Sequence, residues 1–525
     1  MRIGFATVYS WRPHVEHLYF LATLARKAGH ECFFLACDAD LPDCYTRELR
    51  GRSAWRECLQ CRAGGIRSFS GKNVSSIGEY ARRKGESVPA SDDWAIASAS
   101  TLGRYETLAD YAGEEFRAAA ERLRPAVQIT FDAARSWIVD QRLDSVCVFN
   151  GRIDATRAIF EAARSLGVRV VSLERTWFGD GLQLLPEENC LGLQSVHEMV
   201  RAWRDVPLTR NQALRAASHV ARRFLRTNFT EWRAYNVNAR NAPWPIKNAH
   251  RKILLIPGSR NETWGHPDWV SDWAEPVAAY EAIIERLGLG PREMIIRCHP
   301  NWSEKIGKND GWRSERYYSE WAARNGILCI PGKDPTSTLS LIAQCDAVVV
   351  SNSSAALEAG FLGKQIIGTA PSAYQEAGMR DPAYNLAEVR SLVLHRDMAE
   401  AARQAVADNV RRQTLRFCYT MIYRVSQYTD YVKAESTTRY RYHPEVSPQR
   451  FLDLLRTGRL VADDEEAASD ANGEDEILSL IARQEWERLG EGTQVLTPER
   501  YTPLSRRALM KPIDLISNWK PVGDR

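Results

Sequence analysis

The chain has 525 residues, too many for one ordinary domain, so two domains with appendages are expected. Its hydrophobic content of 44% suffices for large cores, and a net charge of +4 is too small for this length to imply a nucleic-acid-binding field. No run of about twenty apolar residues occurs, so no transmembrane helix is expected. The first residues lack the charged, apolar and small-residue pattern of a secretory signal. The expectation is a cytoplasmic protein with reduced thiols, whose 11 cysteines are buried thiols or metal ligands rather than a disulfide framework.

Residues 2–8 are a β-branched, apolar run. In residues 14–29, Val15, Leu18, Leu21, Ala22 and Ala25 recur at helical spacing, and Gly29 stops the helix before a strand at 32–36. This β-α-β opening is that of a doubly wound sheet. Residues 38–105, rich in Arg, Ser and Gly, read as an insertion of loops and helices. Residues 106–142 predict a helix with Phe116, Leu123, Val127, Phe131 and Trp137 on one stripe. A strand at 144–149 ends at Asn150-Gly151-Arg152. A helix at 154–166 and a strand at 168–173 follow, ending at Glu174. Residues 190–245 predict Arg-rich helices and then a hinge at Pro243–Pro245.

A second strand-helix-strand pattern runs from 253 to about 425, with strands at 253–256, 293–298, 327–330, 346–350 and 365–368. The tail, 426–525, reads as helical and extended. It contains an acidic linker at 463–476 and a helix at 477–489. The predicted domains are therefore 1–245, 246–425 and this tail.

Two strand ends carry the strongest chemical signal. One is Arg297-Cys298-His299-Pro300. The other is Ser351-Asn352-Ser353-Ser354, with Glu358 one turn later. In open α/β sheets ligands sit at the carboxyl ends of strands, and hydroxyls at a helix start can hold a phosphate. His299 would donate a hydrogen bond to that phosphate, and Glu358 would accept from a ribose diol. The bland alternatives are a histidine satisfying a loop, a serine cap and a surface carboxylate. Gly258-Ser259-Arg260-Asn261-Glu262 ends the first strand of the second domain. It is either a solvated turn or a site in which Arg260 neutralises phosphate and Glu262 is base, nucleophile or electrostatic stabiliser. Asn150, Arg152 and Glu174 form either an acceptor site, with Glu174 as general base, or a structural ion pair.

Cys37-x6-Cys44 and Cys58-x2-Cys61 are either buried thiols or the ligands of a structural zinc. The arginines of 201–226 read as a solvated face, or as an attractor for an anionic lipid-linked acceptor at the inner membrane.

Phe149-Asn150-Gly151-Arg152 with Ser172-Leu173-Glu174-Arg175, then Arg297–Pro300, then Ser351–Glu358, resembles the bacterial capsular polysaccharide biosynthesis glycosyltransferases. That group includes the β-Kdo transferases that use CMP-β-Kdo. The His-Pro and Ser-Ser motifs are also similar to those of GT-B sialyltransferases. The resemblance spans residues 1–425. It implies a GT-B fold, two Rossmann-like doubly wound domains with a nucleotide-sugar on the second and an acceptor on the first. It implies that His299, Ser353 and Ser354 contact the donor phosphate or the carboxylate of an ulosonic acid, with Gly258, Ser259, Arg260, Arg297, Asn352 and Glu358 read beside them as nucleotide-binding residues, and it places Glu262 near the sugar through a loose match. The cysteines of the first domain are similar to those of relatives in this group, which favours zinc; no cofactor is implied for catalysis itself. A saccharide or lipid-linked saccharide would be the acceptor. A UDP- or GDP-sugar transferase, a sugar-nucleotide epimerase and a silent polysaccharide-assembly protein stay open as alternatives.

Overall fold

The computed structural model describes residues 1–83, 87–232, 234–305, 307–462, 467–491, 500–510 and 512. The first sheet contains β1 (Arg2–Thr7), β2 (Glu31–Ala36), β3 (Val74–Ser76), β4 (Ser145–Phe149), β5 (Arg169–Glu174) and β6 (Leu182–Pro186). The second contains β7 (Ile253–Ile256), β8 (Met294–Arg297), β9 (Leu328–Ile330), β10 (Ala347–Val350), β11 (Gln365–Gly368) and β12 (Asp381–Pro382). Both are wound the same way: β3-β2-β1-β4-β5-β6 and β9-β8-β7-β10-β11-β12. The order reverses between β1 and β4 in one sheet and between β7 and β10 in the other. Those two switch points are where such sheets open a crevice.

The hydrophobic runs explain the sheets. Val146, Val148, Val348 and Val349 are fully buried, as expected for parallel strands covered on both faces. Helix His14–Lys27 covers the first sheet with Val15, Leu18, Leu21 and Ala25. The predicted long helix is broken at Gly113 into Leu108–Ala112 and Glu114–Asp140. Gly113 is extended and Thr107 closes a capping box with Asp110, so the first piece is a separately capped turn.

Three elements depart from the sequence-based expectation. The insertion supplies β3, a parallel edge strand beside β2. Its three residues are too few to show a period. β6 runs antiparallel to β5. The tail does not stand apart from the first domain. After helix Glu400–Tyr419 and a π-turn, β13 (Ser426–Gln427) pairs antiparallel with β6, and helix Gln449–Thr457 buries Phe451 and Leu455 in the first core. The predicted acidic linker is also shorter. Residues 463–466 lie outside the described set, but helix Asn472–Ala482 begins inside the expected linker. It is docked by buried Glu474, whose oxygens accept 2.8 Å bonds from Arg416 Nε and Nη2.

The predicted insertion joins the domains. Arg104 donates to the carbonyls of Asn301 and Glu304 at 3.1 Å each, and Ser100 Oγ donates to Asn261 O at 3.1 Å. Tyr111 stacks on Trp264 with centroids 3.5 Å apart. Beside them Glu106 is fully buried. It accepts from Ser314 Oγ at 2.7 Å and from Arg260 N at 3.2 Å. Burial pushes its carboxyl up to about 7 against those hydrogen bonds. A carboxyl raised above its usual 4.5 binds its proton more tightly in the folded state, so stability is lost as pH rises from about 4.5 through 7. Glu106→Gln is expected to flatten that slope, worth up to about 3 kcal/mol. Denaturant unfolding from pH 4.5 to 8 measures it; an unchanged slope would assign the pH dependence elsewhere.

Candidate functional site

Between the two sheets lies a cleft of about 730 Å³, within the range of small-ligand sites. Two Rossmann-like doubly wound domains facing each other across such a cleft constitute the GT-B architecture. From the second domain come Gly258, Ser259 and Glu262 after β7, Arg297 and His299 at the end of β8, and Asn352, Ser353, Ser354 and Glu358 after β10. From the first come Asn150 and Arg152 after β4 and Glu174 at the end of β5. Neither group makes a site alone; the parallel strand order brings each to its switch point.

His299 is half-buried, and its Nδ1 accepts from Asn301 N at 3.2 Å. A neutral ring in that arrangement carries its proton on Nε2. Tyr235 meets the imidazole edge-on, with centroids 5.6 Å apart. Gly258 lets β7 and β10 approach closely, since a Cβ there would run into Asn352 Oδ1. Buried Ser259 accepts from Trp302 Nε1 at 2.7 Å, which fixes the turn. Ser353 Oγ accepts from Ala355 N at 3.2 Å, and exposed Ser354 precedes helix Ala355–Phe361. Glu262 is exposed on the cleft wall.

Several predicted residues are occupied by other work. Arg260 turns away from the cleft. It binds Glu275 Oε2 at 3.1 Å and the carbonyl of Ala274 at 2.5 Å, and lies over Trp264. Its expected role at a phosphate is corrected to a structural one. Buried Arg297 donates to the carbonyls of Pro331 at 2.6 Å and Asp334 at 3.0 Å. It shapes the 331–336 loop, and only its flank faces the cleft. Glu358 is engaged by Arg223 Nη1 at 3.2 Å. Burial pushes its carboxyl up despite that guanidinium.

Glu174 departs from the expected general base. Its Oε1 accepts from His14 Nε2 at 2.6 Å and from Arg175 N at 3.0 Å, and its Oε2 from Asn150 Nδ2 at 3.0 Å. Burial raises its carboxyl, but these donors outweigh burial and hold it below the usual range. An ionised carboxylate so well solvated by protein is a weak base. Arg152 spans the cleft, donating from Nη2 to Thr101 Oγ1 and Asn261 O, both at 3.0 Å.

Cys37, Cys44, Cys58 and Cys61 are free thiols. Among the described residues no group of three or more His, Cys, Asp or Glu is placed to hold a metal ion. Cys61 Sγ lies 3.8 Å from Val8 O, and burial pushes the Cys37 and Cys44 thiols up to about 11 and 12. Three arginines of the Arg-rich stretch have acceptors within the chain. Arg210 pairs with Glu476 at 2.7 Å, Arg215 with Asp430 at 2.5 Å, and Arg226 donates to Ala239 O at 2.6 Å. Among the described residues no helix is long and apolar enough to cross a membrane.

Sequence reading missed His14, Arg223 and Glu231. His14 follows the end of β1, the position at which a switch-point residue is expected, and that was its signal. Arg223 was hidden in an arginine-rich run. Glu231 lies in irregular chain with no pattern to betray it.

No protein-family model matches the chain, and no curated protein matches it. Solved structures do. The β-Kdo 2,4 transferase KpsC of Thermosulfurimonas dismutans is 13% identical, with 64% of this chain and 87% of that one covered and a TM-score of 0.32. The UDP-GlcNAc 2-epimerase of Methanocaldococcus jannaschii, solved with UDP-GlcNAc and UDP, is 12% identical over 74% of this chain and 90% of its own, with a TM-score of 0.27. The Streptomyces sp. SF2575 glycosyltransferase SsfS6, solved with thymidine diphosphate, is 12% identical over 79% and 95%, with a TM-score of 0.22.

Proposed function

We propose that this chain is a glycosyltransferase that moves a sugar from a nucleotide-sugar, a CMP-sugar such as CMP-Kdo, to a surface polysaccharide or glycolipid acceptor. The observation that carries the reading is the convergence of His299, Ser353, Ser354 and Glu262 from one domain, opposite Asn150, Arg152 and Glu174 from the other, on one cleft. The donor binds on the second domain with its phosphate toward His299 and the two serines. The imidazole N–H stabilises the charge that grows on the departing phosphate. Glu262 is the carboxylate with access to the sugar. The acceptor lies along the first domain, and enclosure between the domains keeps water from the activated donor. The choice of CMP is supported by the motif resemblance.

A thermal-shift screen with CMP, UDP, GDP and their sugars tests the reading. A nucleotide at about 100 times its Kd adds about 2.7 kcal/mol to native stability. CMP and CMP-Kdo are expected to raise Tm, with UDP and GDP inert. A shift with UDP or GDP alone would keep the transferase and discard the CMP donor. No shift with any nucleotide would remove the donor site. Conversion of a nucleotide-sugar without acceptor would identify an epimerase instead.

A further inference from the structure

Cys298 and Cys329 stand side by side in the second domain. Cys298 follows β8 and immediately precedes His299; Cys329 is the middle residue of β9. In this parallel pair Ile296 is opposite Cys329, and Cys298 N donates to Ile330 O at 3.0 Å. Strand alternation puts Cys298 on the same face as Ile296, and hence as Cys329, against one shared core. The two sulfurs are 3.5 Å apart. A disulfide needs about 2.05 Å, so an approach of about 1.5 Å separates contact from bonding. β9 is the edge of its sheet, and Cys329 is partly exposed while Cys298 is fully buried.

The geometry points to a thiol–disulfide modification site, with Cys329 as the thiol that meets a peroxide and Cys298 as the thiol that resolves it. The edge position lets a small oxidant reach Cys329 and keeps Cys298 in reserve. The hydrogen bond between the two sulfurs draws the Cys329 thiol down and, with burial, pushes the Cys298 thiol up. The Cys329 thiolate attacks one oxygen of the peroxide. The O–O bond breaks, hydroxide leaves, and a sulfenic acid forms. The Cys298 sulfur then attacks the Cys329 sulfur and displaces the sulfenic oxygen, which departs as water with the Cys298 proton. Two thiols are oxidised by two electrons and one peroxide is reduced to two waters. The product bond ties the residue next to His299 to the edge strand.

The full-length protein is treated with hydrogen peroxide, its remaining thiols are alkylated, and its peptides are analysed by mass spectrometry. A peptide pair joined through Cys298 and Cys329 is expected, lighter by two hydrogen atoms and released by dithiothreitol. It is expected to be absent from Cys329→Ser, a change at a partly exposed edge position that carries the test if Cys298→Ala does not fold. Recovery of both residues as alkylated thiols would overturn the proposal, as would advance of Cys329 to sulfinic acid without a link. Neither readout depends on the donor, the acceptor or any transferase activity.

Discussion

His299→Ala is expected to lower kcat by roughly 10²–10³, or about 2.7–4 kcal/mol of transition-state stabilisation. The proposed bond runs from the imidazole N–H to an oxygen whose charge increases as the nucleotide departs. Loss of a bond that strengthens in the transition state lowers kcat and kcat/KM together and leaves ground-state binding of the donor largely intact. Nucleotide binding by calorimetry should therefore survive in the variant. The ring also holds Asn301 N through Nδ1, so a loss of structure must be separated from a loss of chemistry. His299→Gln keeps a donor on the side chain and is expected to lose less turnover than the alanine variant. Wild-type kcat in His299→Ala would take this residue out of the mechanism.

Arg223→Ala is expected to destabilise the fold by about 3–5 kcal/mol. Arg223 is 5% exposed, with its Nε 3.0 Å from Glu231 Oε2 and its Nη1 3.2 Å from Glu358 Oε1. Burial alone would lower its pKa; the two carboxylates prevail and raise it, so the guanidinium stays charged. Removing it leaves two carboxylates out of water with Asn228 Nδ2, 3.2 Å from Glu231, as a remaining donor. Burial already makes Glu358 hold its proton more tightly in the folded state, and loss of the guanidinium would add to that. The loss should accordingly be larger at pH 8 than at pH 5, because it develops as pH rises through the ordinary carboxylate range. Adding Glu358→Gln to Arg223→Ala should restore part of the stability by removing one buried charge. Denaturant unfolding of the single and double variants at both pH values gives the coupling. A loss below about 1 kcal/mol would show that water reaches the cluster and screens it.

The sheets were legible because local periodicity and burial agree. Runs such as Ala347–Val350 are apolar throughout, bounded by polar residues, and short enough to read as buried parallel strands. Helix His14–Lys27 announces itself through its apolar stripe. β3 and β12, with three and two residues, carry no period, and they exist because a longer neighbour offers unpaired backbone groups. At the site, the polar strand ends Asn150–Arg152, His299 and Ser351–Ser354 were visible because polar residues abruptly end apolar runs. What those side chains bind was not visible. Arg260 and Arg297 have the residue type for a phosphate, yet Glu275 and the loop carbonyls reach them first.

The amino-acid order alone determined that the chain has two α/β units, because strand and helix patterning is a local property of a few neighbouring residues. It also determined which strand ends bear polar groups. Only the tertiary structure decided that residues 426–457 return to the first sheet, that residues 100–111 bolt one domain to the other, and that Arg223 joins Glu231 to Glu358. Those outcomes depend on which distant donors and acceptors meet when water is excluded. A buried charge takes whichever partner the packing brings within about 3 Å, and that distance is not written at any single position.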